Sequence, residues 1–296
     1  MAQPELTPQL ALLEEAMTVL FCQIDDAYYR LNPKGRHYET LKELSDSEII
    51  ALALFQQLRG IESERSFLRE AARFFSHLFP GVVGFHPSSF HRRVRRLRRF
   101  LEPLRRAILE KLIGDPETLL IRLHAFGVTS PAPSGAVGGL RWSFLGALGE
   151  FQRLRGMKLH LLCAANRVPI CYELTSAEVA DIRLTEELLC ESGLGEEVAR
   201  RLLGDLAYQS EDLKEKLAEV GILLATEKAE KRSAVRQQIE IALSSLKRVF
   251  GLRETLATTL VGLATRIAAK ITAYTYAFYV NRMLGRPQGK IKEVWA

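Results

Sequence analysis

No run of about 18 apolar residues, the length that crosses a bilayer, occurs in the 296-residue chain. The apolar tail LRETLATTLVGLATRIAAKITAYTYAFYVNRML is broken by Arg266 and Lys270, so it reads as a core helix that covers a sheet, with a membrane span as the alternative. The amino end, MAQPELTPQLALLEEAM, carries acids where a secretory signal needs a basic flank and an apolar stretch. A soluble cytoplasmic protein is the expectation. The four cysteines, Cys22, Cys163, Cys171 and Cys190, form no CxxC pair, so neither zinc nor a disulfide framework is suggested. What remains is ample for a core: 47% of residues are apolar, enough for one large domain or two modest ones. The net charge of +6 is moderate but unevenly spread.

The first 112 residues read as all-helical. ELTPQLALLEEAMTVLFCQIDDAYYRL has helical apolar spacing, and SDSEIIALALFQQLRG opens with Ser45 or Asp46 as a cap and stops at Gly60. ERSFLREAARFFSHLF follows after a short turn. Residues 91–106, HRRVRRLRRFLEPLRR, hold eight arginines and one acid, Glu102. Val94, Leu97, Leu101, Leu104 and Ile108 form an apolar stripe along a third helix, which leaves Arg92, Arg93, Arg95, Arg96, Arg98, Arg99, Arg105 and Arg106 largely outside it. Two helices joined at a glycine and followed by a basic third suit a helix-turn-helix that contacts DNA phosphates. A plain helical bundle with a solvated basic face is the other reading.

From about residue 117 the period changes. ETLLIRL, MKLHLLCA, PICYELTS, RRLLGDL and GILLATE are short apolar or alternating runs and read as strands. ADIRLTEELLCES, QSEDLKEKLAEV and SAVRQQIEIALSSLKRVFG read as helices between and after them. The order predicts a mixed α/β sheet with helices on its faces, its second and third strands joined by a tight ANRV hairpin. Domains are expected at 1–112 and 117–285, with 286–296 as a tail.

Two carboxylates carry the chemistry. Asp205, in RLLGDLAYQS, should project from the carboxyl end of a buried strand, where α/β sheets place ligands, although a strand-end Asp also serves as a helix cap. Glu240, in RQQIEIALSSLK, lies beside the buried stripe Ile239, Ala242, Leu243 and Leu246, with Arg236 four residues before it and Lys247 seven after. Read alone, that segment is a solvated helix face with an i,i+4 pair. Together, GD-x-AY after the fourth strand and R-x3-E-x6-K on a later helix resemble the DDE transposases of bacterial insertion sequences. The resemblance implies an RNase H-like catalytic domain preceded by DNA-binding helices. It also implies double-stranded DNA with terminal inverted repeats as the partner, a homodimer as a compatible assembly, and two Mg2+ or Mn2+ ions held by three acids. It assigns Asp205 and Glu240 to catalysis and metal binding, and Arg236 and Lys247 to DNA near the cleaved phosphate. Ser233 stands where the family has a tyrosine.

The family's first acid belongs at the end of the first strand, in LLIRLHAF, which contains none. Arg122 stands about where an aspartate is expected; His124 nearby is a candidate ligand or a structural residue. Residues 122–155 are atypical: TSPAPSGAVGG is a Pro, Gly and Ala loop, and RWSFLGALGEFQRLR has no clean period. If Arg122 and its followers are encoded CGA, CTC, CAC, GCT, reading one base later gives Asp-Ser-Thr, the residues expected at the first-acid position. A pair of compensating frameshifts accounts for such a segment, and the gene's codons decide it. Three functions follow: a DDE transposase with strand transfer lost or impaired, a catalytically silent DNA-binding protein derived from one, or an RNase H-like nuclease acting on RNA or Holliday junctions.

Overall fold

The computed structural model describes residues 8–35, 42–114, 116–126, 157–176, 179, 183–194, 200–204, 208, 210–225, 234–252 and 259–291, with the backbone alone for 123–126, 183 and 234–236. Contacts divide the chain into two units. One comprises Met1–Leu109, Arg248–Leu252 and Thr265–Ala296, and the other Glu110–Lys247 and Arg253–Ala264.

The first unit is helical. Helix α1 (Pro8–Leu31) buries Leu13, Ala16, Met17, Leu20, Ile24, Ala27 and Tyr28, the three- and four-residue spacing of a one-faced helix. Helix α2 (Asp46–Leu58) buries every residue but Glu48, so it is a central helix packed on all sides. Ser45 is its cap. The hydroxyl accepts from the Glu48 amide at 3.0 Å, and the Glu48 carboxylate accepts from the Ser45 amide at 2.5 Å. The chain leaves α2 at Gly60, whose φ of +64° suits glycine, and enters α3 (Glu64–Phe74) through a Ser63 cap.

The basic helix expected as one piece is two. Helix α4 (Pro87–Leu97) ends in a 3-10 turn at Arg98–Phe100, and α5 (Leu101–Ile113) starts anew. Pro103 accounts for the break: it lacks an amide hydrogen, and its ring clashes with the carbonyl four residues back, so the helix tightens before it. Leu97, Leu101, Leu104 and Ile108 are buried as the stripe requires, while Val94 is half-buried.

Helix α9 (Leu260–Met283) was expected to cover the sheet. From Thr265 on it belongs to the helical unit. Its polar groups explain why. Tyr276 donates to the Leu104 carbonyl at 3.2 Å and Tyr279 to Gln23 Oε1 at 2.6 Å. Lys270, 1% exposed, reaches Glu62 and the Phe250 carbonyl, and Arg266 reaches Glu62 at 3.3 Å. Among the described residues no helix is long and apolar enough to cross a membrane.

The second unit is built on a five-stranded sheet in the order β3-β2-β1-β4-β5. Strands β1 (Thr118–Phe126), β2 (Met157–Ala164) and β3 (Pro169–Ser176) run antiparallel in sequence, and β4 (Arg200–Leu203) and β5 (Ile222–Ala225) run parallel to β1. Helices α6 (Arg183–Ser192), α7 (Glu211–Glu219) and α8 (Ala234–Arg248) complete the unit. This is the mixed sheet with flanking helices that the strand pattern predicted. The turn from β2 to β3 is the expected hairpin: the Arg167 amide donates to Ala164, Arg167 takes a φ of 77°, and Asn166 Oδ1 accepts from the Val168 amide. On β1, Leu119, Leu120 and Ile121 are all within 1% of full burial, as a central strand covered on both faces requires.

Candidate functional site

Strand β1 carries Arg122 one residue past its buried run, where the side chain is 29% exposed. Helix α8 buries Ile239, Ala242, Leu243 and Leu246 and so leaves Glu240 on its open flank, 50% exposed. The two meet. Arg122 Nη1 donates to Glu240 Oε1 at 2.7 Å, a contact between residues 118 apart in sequence. Beside Arg122 the sheet continues through Gly204, whose amide donates to the Ala225 carbonyl at 3.1 Å. A Cβ on Gly204 would stand 3.3 Å from Ile121 Cγ2 and 3.2 Å from Tyr208 Cβ, so the close approach of β1 and the β4 end favours glycine.

Asp205, the residue after Gly204, lies outside the described residues, as do the side chains of Arg236 and His124 and the whole of 127–156. Lys247 is half-buried near the end of α8. Thus Glu240 and Arg122 are brought together. A two-metal centre needs several hard oxygen ligands. Here β1, TLLIRLHAF, offers no carboxylate, an oxygen of Glu240 is engaged by a guanidinium, and among the described residues no group of three or more His, Cys, Asp or Glu is arranged to hold an ion. Among the described residues, then, Glu240 stands toward such a centre already paired to a guanidinium. A guanidinium about 4 Å from a dication repels it by roughly 2 kcal/mol even at the dielectric constant of water.

The arginines of α4 and the following turn divide in a way that sequence spacing did not reveal. Arg92, Arg95, Arg96 and Arg99 are exposed, whereas Arg93 and Arg98 are half-buried. Arg93 turns inward, donating to the Leu44 carbonyl at 2.7 Å and to Asp46 Oδ1 at 2.5 Å. Asp46 also accepts from Lys42 at 2.8 Å and from the Tyr28 hydroxyl at 3.2 Å. Burial pushes the Asp46 carboxyl up, but the Lys42 and Arg93 hydrogen bonds outweigh it and hold the group below the usual carboxylate range. Burial, with the neighbouring Arg95 charge, lowers the Arg98 guanidinium. Arg105 is fully buried, its Nε and Nη2 gripping the two oxygens of Glu102 at 2.8 and 2.6 Å. Nothing local in the sequence signals the Arg93–Asp46 pair, whose ends are 47 residues apart.

Residues 141–276 match the family model described as Transposase DDE domain. That match begins after β1. No curated protein sequence matches the chain. Among solved structures, the Mos1 transposase paired-end complex with left transposon end is similar at 12% identity over 81% of this chain and 77% of that one, with a TM-score of 0.34.

Proposed function

We propose that the chain, whose residues 141–276 match the Transposase DDE domain model, is an insertion-sequence transposase by descent whose strand-cleavage chemistry is lost or impaired. The observation that carries the reading is the 2.7 Å ion pair between Arg122 and Glu240. Asp205 and Glu240 are the remaining acids of a set of three, and Arg122 stands in for the first. Its fixed positive charge neutralises Glu240 as a cation would, but it polarises no phosphate oxygen and activates no water. The side chain therefore supports folding of the site and opposes Mg2+ or Mn2+ at it.

In this reading the partner is double-stranded DNA at the element's terminal inverted repeats. The helical region 1–112 holds the DNA, Arg236 and Lys247 contact it near the former cleavage site in the domain spanning 117–285, and the setting is the bacterial cytoplasm, with a homodimer as the assembly to look for. A second reading, a silent DNA-binding protein that blocks or modulates active relatives, draws support from the exposed arginines of α4, which need no metal to hold a phosphate.

The test is strand cleavage of the flanking inverted repeats with magnesium or manganese. The wild-type chain and Arg122→Asp should both show little or none, because one substitution leaves residues 123–155 unchanged; calorimetry should nonetheless show tighter manganese binding by Arg122→Asp. Robust cleavage by the wild type that is lost in Glu240→Ala would sink the inactive reading.

A further inference from the structure

The basic helix contains more arginines than one surface can use, and their contacts separate them by task. Arg92, Arg95, Arg96 and Arg99 recur at spacings of three, four and seven, so they share one face of α4 and the turn that follows. All four are exposed, and among the described residues no carboxylate pairs with any of them. Arg92 donates to the Ser89 hydroxyl at 3.4 Å, and Arg99 stacks 4.9 Å from the centroid of Phe100. Four like charges within about 10 Å of helix raise the energy of the free protein, and a row of phosphates relieves it. Arg93 sits between two members of this row yet faces the other way. Its guanidinium ties α4 to the chain just before α2 through Leu44 and to Asp46, which Lys42 and Tyr28 hold from two further directions.

We propose that Arg92, Arg95, Arg96 and Arg99 form a phosphate-gripping stripe for duplex DNA, and that Arg93 with Asp46 is the strut that sets the angle at which α4 presents it. The inference rests on the DNA-binding reading above and divides its residues further: Arg93 is a positioning residue, not a DNA contact, and Arg98, half-buried, is left out of the stripe. The two ends of the strut have opposite charge, which makes the assignment testable by sign. Removing a surface acid beside a basic patch strengthens DNA binding through the field alone. Removing Asp46 as a strut weakens it, because the stripe loses its orientation.

The experiment uses the full chain and a fluorescent DNA duplex of arbitrary sequence about 30 bp long, titrated between roughly 50 and 200 mM salt. The wild type should bind with a log-log salt slope of at least about 3.6, and each of Arg92→Ala, Arg95→Ala, Arg96→Ala and Arg99→Ala should lower it by about 0.9. Asp46→Asn should bind several-fold more weakly despite the added positive charge. Arg93→Lys keeps the charge and loses the forked contact; it should weaken binding likewise and serves as the gentler variant if Asp46→Asn melts below the assay temperature. Slopes unchanged in the four alanine variants overturn the stripe while leaving DNA binding intact. Tighter binding by Asp46→Asn, or wild-type affinity in Arg93→Lys, overturns the strut. Absence of salt-dependent binding by the wild type removes the DNA-binding reading itself.

Discussion

Glu173 is a carboxyl held where its charge is unwelcome. It is 7% exposed on β3, opposite His160 on β2, and among the described residues its Oε1 accepts no hydrogen bond. Burial, then the nearby charges of Glu191 and Glu187 on α6, push its pKa up to about 8. The folded protein therefore keeps a proton that the unfolded chain releases near pH 4.5. The stability this gives is complete below that pH and is lost as pH rises toward 8, by an amount that linkage caps at roughly 5 kcal/mol. Melting temperature should fall across this window, and Glu173→Gln should flatten the fall and raise stability at pH 8; an unchanged profile would show that Glu173 ionises freely. PICYELTS gave no warning, because a Glu in an alternating strand looks solvent-facing until α6 brings its own acids over it. The Arg122–Glu240 contact follows by contrast from the family resemblance, which assigns Glu240 to the site and has Arg122 standing where its first acid belongs. Asp46 and Arg93 had no such frame, so their pairing emerged only from packing.

Elements were read well wherever periodicity and caps agreed, and less well where a single residue overrode the period. The Ser45–Glu48 box closes the start of α2 with two reciprocal hydrogen bonds, and S-x-x-E before an apolar run announces it. Ser45→Ala removes the acceptor for the Glu48 amide and should cost about 1 kcal/mol in urea unfolding. A loss well below about 0.5 kcal/mol would mean that α2, buried along its length, is fixed by packing and gains nothing from its cap. The five strands and their order of appearance followed from short apolar runs, and the sheet assembled as the pattern required. Pro103 was visible too, but the stripe Leu97, Leu101, Leu104, Ile108 keeps its spacing across the break, so periodicity alone made one helix of α4 and α5. The break matters because the 3-10 turn carries Arg98 and Arg99 to different surroundings, one half-buried and one exposed.

At the scale of the molecule, the order of the chain and the order of packing disagree. Composition predicts a helical domain ending near residue 112, yet the helical unit is completed by Arg248–Leu252 and by Thr265–Ala296. No sequence period reveals this, because an all-round apolar helix such as α9 announces burial without naming the surface that buries it. The magnitudes decide what a fragment should do. Ile267, Ile271, Tyr274, Tyr276, Phe278 and Val280 are all at most 1% exposed, and burying side chains of this size contributes on the order of 9 to 18 kcal/mol in total. A domain's net stability is only about 5–15 kcal/mol. The fragment also loses Lys270 and Arg266 together, which strips Glu62, 23% exposed, of both its cations at a cost below the roughly 3–5 kcal/mol of breaking a fully buried pair. A fragment of residues 1–112 should therefore keep helical far-ultraviolet dichroism but bind a hydrophobic dye and melt without cooperativity. Supplying residues 248–296 in trans should restore a cooperative melt, because that segment returns α9 and the Phe250 carbonyl that receives Lys270. DNA affinity should return with it, since the Arg92 to Arg99 stripe works only on a fixed helix. Cooperative melting and full DNA affinity in the isolated fragment would show that α1–α5 hold their own core and that α9 is dispensable to them.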